Sequence, residues 1–427
     1  MNNNNMLKSA GGMRSYLPEL ASELKCIERK ILDIFELWGY HPIITPTLEY
    51  YESLTEGMGR SLDKRLYKFI DYEGNILTLR PEMTAPIART LSNRLNDIEL
   101  PMRLSYNATV FRYDQLQAGK NREIYQLGVE FIGEKSYLAD AEAIILAIES
   151  LQNTGIEDFK LDIGHAAYLE GIIEELDLSH EIELEIKTFL NKKDLVGLND
   201  FILSLEEEGV DKKVEMINDI PALRGNQEIL RDARSLVKNE KSIAALENLE
   251  KIYQYIADYG LADYITLDLS LIRGFDYYTG VVFEGFTEKL GYTICGGGRY
   301  DNLLNKYSGQ EIPAIGFAIG LERVRLALKR QDYEFEYPVL DELFLVNDGT
   351  EALAMKTAKK LRQKGIITSL AELRDNKEEL KAKAKNEGVK RILIFIDKEK
   401  LEVLDIINDT METIEIDGDW EEKLWEI

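Results

Sequence analysis

Between residues 20 and 40 apolar side chains recur at helical spacing: Leu24, Ile27, Ile31, Ile34, Phe35 and Trp38 fall on one stripe, and Gly39 closes the run. The pattern predicts an amphipathic helix. Residues 41–46 carry Pro42 and Pro46, which suits an edge strand or a strand end, because proline has no N–H to give to a ladder. Residues 68–80 set two apolar runs around Glu73-Gly74-Asn75 and predict a β-hairpin. Residues 102–111 and 124–132 predict a second strand pair, joined by a polar loop at 115–122. Connections this short make both pairs antiparallel. A helix is predicted over 138–153, with Ala141, Ile144, Ile145, Ile148 and Leu151 on one face.

From about 171 to 259 strand-like runs become scarce and helical patterns rich in Glu and Lys take over, as in 182–190 and 243–256, which predicts a helical insertion. Strand patterns return at 264–272, 281–285 and 292–295, and a helix follows Gly320. Residues 1–330 therefore read as one core, 331–337 as a linker and 338–427 as a C-terminal domain. In that last part strands alternate with helices in the order β-α-β-α-β, which predicts a small parallel α/β domain.

Composition narrows the function classes. A chain of 427 residues with 45% apolar side chains is long enough for two or three folded cores. Its polar start and the lack of any apolar run near eighteen residues argue against a signal peptide and a membrane span, so a cytoplasmic location is expected. Cys26 and Cys295 form no CxxC pair, which speaks against a disulfide framework or a structural zinc site, and three histidines are too few for a histidine-based metal cluster. The formal net charge of −25 disfavours a polyanionic partner such as tRNA.

Candidate chemistry centres on two glycine-bearing runs. In 271–280, Arg273, Tyr277 and Tyr278 stand beside Gly274 on an apolar strand pattern, a combination suited to a small polar ligand. The run Gly296-Gly297-Gly298-Arg299-Tyr300-Asp301 leads to an expected helix start, where backbone N–H groups would face a ligand. Arg112, at the end of an apolar strand, and Arg323, at a strand-to-helix junction, suit bidentate binding of a carboxylate or phosphate; the alternative for each is an ion pair with a nearby acid. The tyrosines suit either a pocket wall or core packing. His165 fits a buried, hydrogen-bonded position or a subunit contact, with burial preferred.

These motifs resemble those of class II aminoacyl-tRNA synthetases. Helix, strand and proline over 20–46 resemble motif 1, which in that family forms the dimer interface, and Arg112 and Arg323 match the motif 2 and motif 3 arginines that grip ATP phosphates. The resemblance implies an α+β fold: a six-stranded antiparallel sheet flanked by helices, with the helical insertion and the small C-terminal α/β domain appended. Glu82, Thr84, Arg112, Gln126, Glu130, Arg273, Tyr277 and Tyr278 match positions that hold histidine in histidyl-tRNA synthetase; Glu and Gln supply the acceptors that a ring N–H and an ammonium require.

The departures from that pattern carry weight. Ile124 stands where the synthetase has an aromatic residue stacked on adenine, and Asp114 replaces a glutamate beside Arg112. Met83, in place of a glycine, should crowd the pocket entrance, and Ser15 replaces an aspartate. Arg112, Asp114 and Arg323 then read as a remnant nucleotide site. The stretches 161–166, with Gly164-His165-Ala166, and 192–198 resemble regulatory subunits of the short-form ATP phosphoribosyltransferase. That resemblance implies a subunit without catalysis, cofactor or metal. It would partner the short catalytic subunit as a homodimer within a hetero-octamer and take histidine as feedback effector. The C-terminal domain resembles an anticodon-binding domain in its order of elements only; its acidic residues outnumber its basic ones, so tRNA is not expected there. The alternatives are a divergent histidyl-tRNA synthetase and a free-standing histidine-sensing adaptor.

Overall fold

The first helix, α1 (Pro18–Leu37), begins at a proline, whose fixed φ suits the first turn, and has no side-chain cap. It stops short of Gly39, where φ is +77°. Leu24, Ile27, Ile31 and Phe35 form its buried stripe, and the buried Glu23 among them is paired with Arg325 and Lys329. The computed structural model describes residues 8–58, 60–113, 121–207, 210–272, 277–288, 290–335, 340–373, 377–418, 420 and 424. The chain divides between Phe335 and Glu336 into two units.

After α1 come β1 (His41–Pro42), β2 (Leu48–Tyr50), α2 (Tyr51–Met58), β3 (Lys68–Ile70) and β4 (Ile76–Leu79). The hairpin between β3 and β4 is fixed by Asp71, whose carboxylate accepts the backbone N–H groups of Glu73 and Asn75, and by Gly74 at φ +88°. With β2 they make a small antiparallel sheet.

The main sheet is built from β1, β5 (Met102–Phe111), β6 (Glu123–Ile132), β7 (Lys160–His165), β8 (Arg224–Gly225), β9 (Ile265–Asp268), β10 (Val281–Phe286), β11 (Cys295–Arg299) and β12 (Ala314–Gly320), in the order β1-β5-β6-β12-β11-β10-β7-β9-β8. The run from β5 to β7 is a continuous six-stranded antiparallel sheet. Two parallel pairings, β1 with β5 and β7 with β9, extend it into a mixed sheet. Long crossovers permit these: the helical insertion separates β7 from β9. The glycine run at 296–298 lies in an interior strand, between β10 and β12, and the helix start expected after it is that of α10 (Leu303–Ser308). A Cβ at Gly297 would overlap the Gly316 carbonyl, so only glycine fits.

Strand alternation assigns the two faces. Leu127, Val129 and Phe131 of β6 point toward α1 and α4 (Tyr137–Thr154), where Phe35 meets Phe317 edge-on and Tyr40 meets Phe131. Helix α4 is capped by Ser136, which accepts from Ala139 N–H, and is terminated by Gly155 at φ +97°. The alternate residues face α3 (Thr84–Ser92), with Met83, Ile87, Leu91, Leu104, Tyr106 and Val110 in one apolar cluster.

The insertion runs through α5 (Ala166–Glu175), α6 (His180–Lys192), α7 (Leu195–Glu207), α8 (Ile229–Leu236) and α9 (Glu240–Asp258), interrupted by the short strand β8. His165 is buried at its head and caps α5: Nδ1 accepts the Ala167 N–H at 3.2 Å. Burial, reinforced by Arg299, pushes its pKa down to about 4, so the ring is neutral when folded, whereas the unfolded chain takes a proton below about 6.5. Stability is fully present above about 6.5 and is lost as pH falls toward 4. Between pH 7.5 and 4.5 the chain should lose roughly 2–3 kcal/mol more than a His165→Asn variant, which keeps an acceptor but does not titrate. Urea midpoints at the two pH values measure this, and an equal loss in both proteins would refute it.

The C-terminal unit contains β13 (Glu342–Val346), α12 (Glu351–Gln363), β14 (Thr368–Glu372), α13 (Lys377–Asn386), β15 (Arg391–Phe395), β16 (Lys400–Asp405) and β17 (Thr410–Glu415), in the sheet order β14-β13-β15-β16-β17. The first three strands are parallel, as their order predicts. The hairpin β16–β17 makes the sheet mixed and corrects the all-parallel expectation. Apolar clusters lie on both faces, one packing Phe344 and Phe395 against Ala354, Ala358 and Leu361, the other packing Leu345, Ile392 and Ile394 against Ala384. Among the described residues no helix is long and apolar enough to cross a membrane.

Candidate functional site

One cavity of about 120 Å³ opens on the α3 side of the main sheet, where β5, β6, β11 and β12 lie side by side. Its floor is nearly free of side chains. Gly296 and Gly298 of β11 pair with Ala318 and Gly316 of β12, so four small residues share one face and leave room above the backbone. A Cβ at Gly316 would overlap the Glu130 carboxylate, and one at Gly298 would run into the Tyr278 ring.

Glu82 stands just ahead of α3. Its carboxylate accepts the backbone N–H groups of Thr84 at 2.6 Å and Ala85 at 2.8 Å, satisfying the first turn of a helix whose Met83 N-cap offers no side-chain bond. Burial raises its pKa, opposed by those two N–H groups and by the charge of Arg112. Thr84 lines the cavity and its hydroxyl donates to Glu130 Oε1 at 2.8 Å. Glu130 lies beneath, 1% exposed, and its other oxygen accepts from the Tyr300 hydroxyl. Burial drives its pKa up to about 8, the Tyr300 and Thr84 hydrogen bonds pull it down, and Glu82 adds a push upward.

Arg112 leaves the end of β5, and its Nε donates to the Pro81 carbonyl at 2.8 Å, which ties the strand to the segment entering α3. Gln126 reaches the cavity from β6. Tyr277 and Tyr278 stack obliquely, ring centroids 4.8 Å apart, and Tyr277 meets Tyr300 edge-on at 5.8 Å. Arg323, in the first turn of α11 (Leu321–Arg330), donates from Nη1 to the carbonyl and hydroxyl of Thr293 and lies over the Tyr292 ring. Its neighbour Glu322 accepts from the Tyr125 N–H and the Tyr16 hydroxyl, holding β6 and the chain before α1 together.

Of the residues singled out in the sequence, Glu82, Thr84, Arg112, Gln126, Tyr277, Tyr278 and Arg323 surround this cavity, and Glu130 supports its base. Arg273 and Asp114 lie outside the described residues. Ile124 lines the cavity while Tyr125, one residue on, turns away and packs edge-on against Tyr16. Met83 touches the cavity but is fully buried in the apolar cluster beside it. Tyr106 and Tyr300 also line the cavity, although no sequence motif points to their side chains. Tyr106 belongs to no motif, yet its period-two relation to Leu104 and Ala108 puts it on the same face. Arg299, within the glycine run, does not face the cavity. It is buried against Asp140 of α4, with Nε donating at 2.7 Å, and Nη1 donating to Glu134 O and Asp301. No cluster of His, Cys, Asp or Glu among the described residues could hold a metal ion.

The arrangement offers acidic and hydroxyl acceptors, two arginines and an aromatic wall, the complement of a small zwitterion with extra N–H groups. Comparison with known proteins points the same way. The model of the family described as histidyl-tRNA synthetase matches residues 12–324. An ATP phosphoribosyltransferase regulatory subunit of Halothermothrix orenii is 52% identical over 405 residues, spanning 95% of this chain and 96% of that protein. A histidine–tRNA ligase of Methanocaldococcus jannaschii is 36% identical over 421 residues, 96% of this chain and 98% of the ligase. The crystal structure of an ATP phosphoribosyltransferase regulatory subunit/histidyl-tRNA synthetase from Bacillus halodurans C is 34% identical and superposes with a TM-score of 0.80, over 91% of this chain and 98% of that one. Both the shared sheet and the match across 12–324 place the chain in the histidyl-tRNA synthetase family, the one that also holds ATP phosphoribosyltransferase regulatory subunits.

Proposed function

We propose that this chain is the regulatory subunit of an ATP phosphoribosyltransferase. It carries no catalysis of its own, assembles with a short catalytic subunit, and binds histidine as feedback inhibitor in the cavity between α3 and the main sheet. The observation that carries the reading is the 52% identity to such a subunit, which extends over both units and not merely the synthetase-like core. The site adds support: Ile124 offers no aromatic platform for an adenine, and Arg112 and Arg323 each already donate to backbone carbonyls. Histidine would contact Glu82, Thr84, Arg112, Gln126, Tyr277 and Tyr278; Arg273, which the resemblance adds to this set, lies outside the described residues.

A homodimer within a hetero-octamer is part of the proposal. Ile44, Leu48, Tyr50, Phe69, Ile70, Tyr72 and Ile76 are all exposed on and around the small sheet, an apolar surface that a second copy would cover. A second reading, a working histidyl-tRNA synthetase, is favoured by the two arginines at one cavity and by the similarity to the Methanocaldococcus ligase.

The test is to mix the purified chain with the short catalytic subunit and follow phosphoribosyl-ATP formation with and without histidine. Activity that needs both proteins and falls with histidine is expected. No activation, together with histidine-dependent exchange of pyrophosphate into ATP by this chain alone, would replace the proposal with the synthetase.

A further inference from the structure

A second cavity, of about 540 Å³, lies on the α4 side of the main sheet, where the head of α4, the end of β7, the middle of α9 and the end of β11 meet. His165 lines it and is only 8% exposed. Its Nδ1 accepts the Ala167 N–H, so the ring carries its proton on Nε2, and that N–H meets no acceptor among the described residues. Native folds rarely leave a donor so buried without a partner. Two more groups of the lining are half used. Thr279 Oγ1 accepts the Asp301 N–H at 3.0 Å, which leaves its own proton to donate. Asp301 Oδ1 accepts from Arg299 Nη1 and from the Ala314 N–H, while Oδ2 takes neither.

Arg299 is matched by Asp140 and Asp301, so it braces the wall and is not a ligand's counter-charge. That part falls to Lys135, an exposed residue of the lining. Tyr137 and Tyr255, also exposed, add two flat apolar faces. Donors beside one open carboxylate oxygen and a ring-lined wall are the complement of a zwitterion with a flat side chain. We propose that this cavity is a second ligand site, which takes a free α-amino acid with a flat apolar side chain: the carboxylate accepts from His165, Thr279 and Lys135, the ammonium donates to Asp301, and the ring lies against Tyr137 and Tyr255. A simple anion would be repelled by Asp301, and a neutral ring would leave Lys135 without a counter-charge. The inference is independent of what occupies the cavity on the α3 side.

Titration calorimetry of L-phenylalanine into the full chain should show saturable binding of one molecule per chain. Phenethylamine, which lacks the carboxylate, and hydrocinnamate, which lacks the ammonium, should each bind at least about tenfold more weakly, the loss of hydrogen bonds to a charged group. His165→Asn keeps the cap on α5 but has no N–H at the place of Nε2, and Asp301→Asn keeps an acceptor for Arg299 but loses the charge. Each should weaken L-phenylalanine by roughly tenfold. Should either variant fail to fold, Lys135→Ala and Tyr255→Ala, both at exposed positions, decide by the same loss. No saturable binding at millimolar L-phenylalanine overturns the inference. So does binding that these variants leave intact, which would put the amino acid elsewhere on the chain, and so does equal affinity for phenethylamine or hydrocinnamate.

Discussion

Replacing Asp140 with alanine is expected to destabilise the N-terminal unit by about 3 kcal/mol, because it takes from the buried Arg299 guanidinium its buried counter-charge and leaves it the more exposed Asp301 alone. Arg299 is 5% exposed and Asp140 1%, so water cannot take the missing place. The pair joins the interior strand β11 to the first turn of α4. The ion pair is nevertheless an imperfect one: Arg299 Nη2 is buried with no acceptor, and burial lifts the Asp140 pKa to about 6 even though Arg299 pulls it down. A carboxyl raised above its unfolded value contributes most stability in acid, below about 3.9, and loses it as pH rises through 6. Desolvation therefore outweighs attraction, and removing both charges together should cost far less than removing one. Urea unfolding of Asp140→Ala, Arg299→Met and the double variant Asp140→Leu with Arg299→Met gives the comparison. If the double variant is no more stable than Asp140→Ala, the uncompensated charge is not the cause.

The second large effect is at Gly316. An alanine Cβ there would overlap both Glu130 Oε2 and the Val129 carbonyl, and the carbonyl belongs to a strand held on both sides. The carboxylate must move, breaking its bonds to Thr84 and Tyr300, and histidine binding should weaken by more than about 100-fold, the loss of two hydrogen bonds to a charged group. Overpacking adds about 1–3 kcal/mol of destabilisation. Gly291→Ala, where the added Cβ meets nothing within 4 Å, serves as control and should leave melting and binding unchanged. Combining Gly316→Ala with Glu130→Ala removes part of the clash, so stability should partly return while binding does not. Full histidine affinity in Gly316→Ala would show that the Glu130 carboxylate is not needed where it sits.

The elements read correctly from sequence are those whose own residues state their period and their ends. Helix α1 has Leu24, Ile27, Ile31 and Phe35 on one stripe with Gly39 after it, and the β3–β4 hairpin has its Asp71 and Gly74 turn. Strand β11 hides because Cys295 to Arg299 has three glycines in a row, a composition that signals a loop until the neighbours β10 and β12 are known to forbid side chains there. The β16–β17 hairpin hides because its strands are short of apolar positions to bury: five of the twelve residues are charged and Leu401, Val403 and Ile414 alone are buried. At the site, residues carried by motifs were found, whereas Tyr300 gained its part only through a contact with Glu130, 170 positions away in the chain. Long-range partnership of that kind leaves no local trace.

The division between Phe335 and Glu336 has an evolutionary consequence. Each unit closes its own apolar clusters, and every described residue around the cavity precedes the boundary. A stop codon or a gene fusion near that junction would leave the cavity encoded intact, so lineages can lengthen, exchange or discard the last ninety or so codons while selection on ligand recognition acts on a separate stretch of gene.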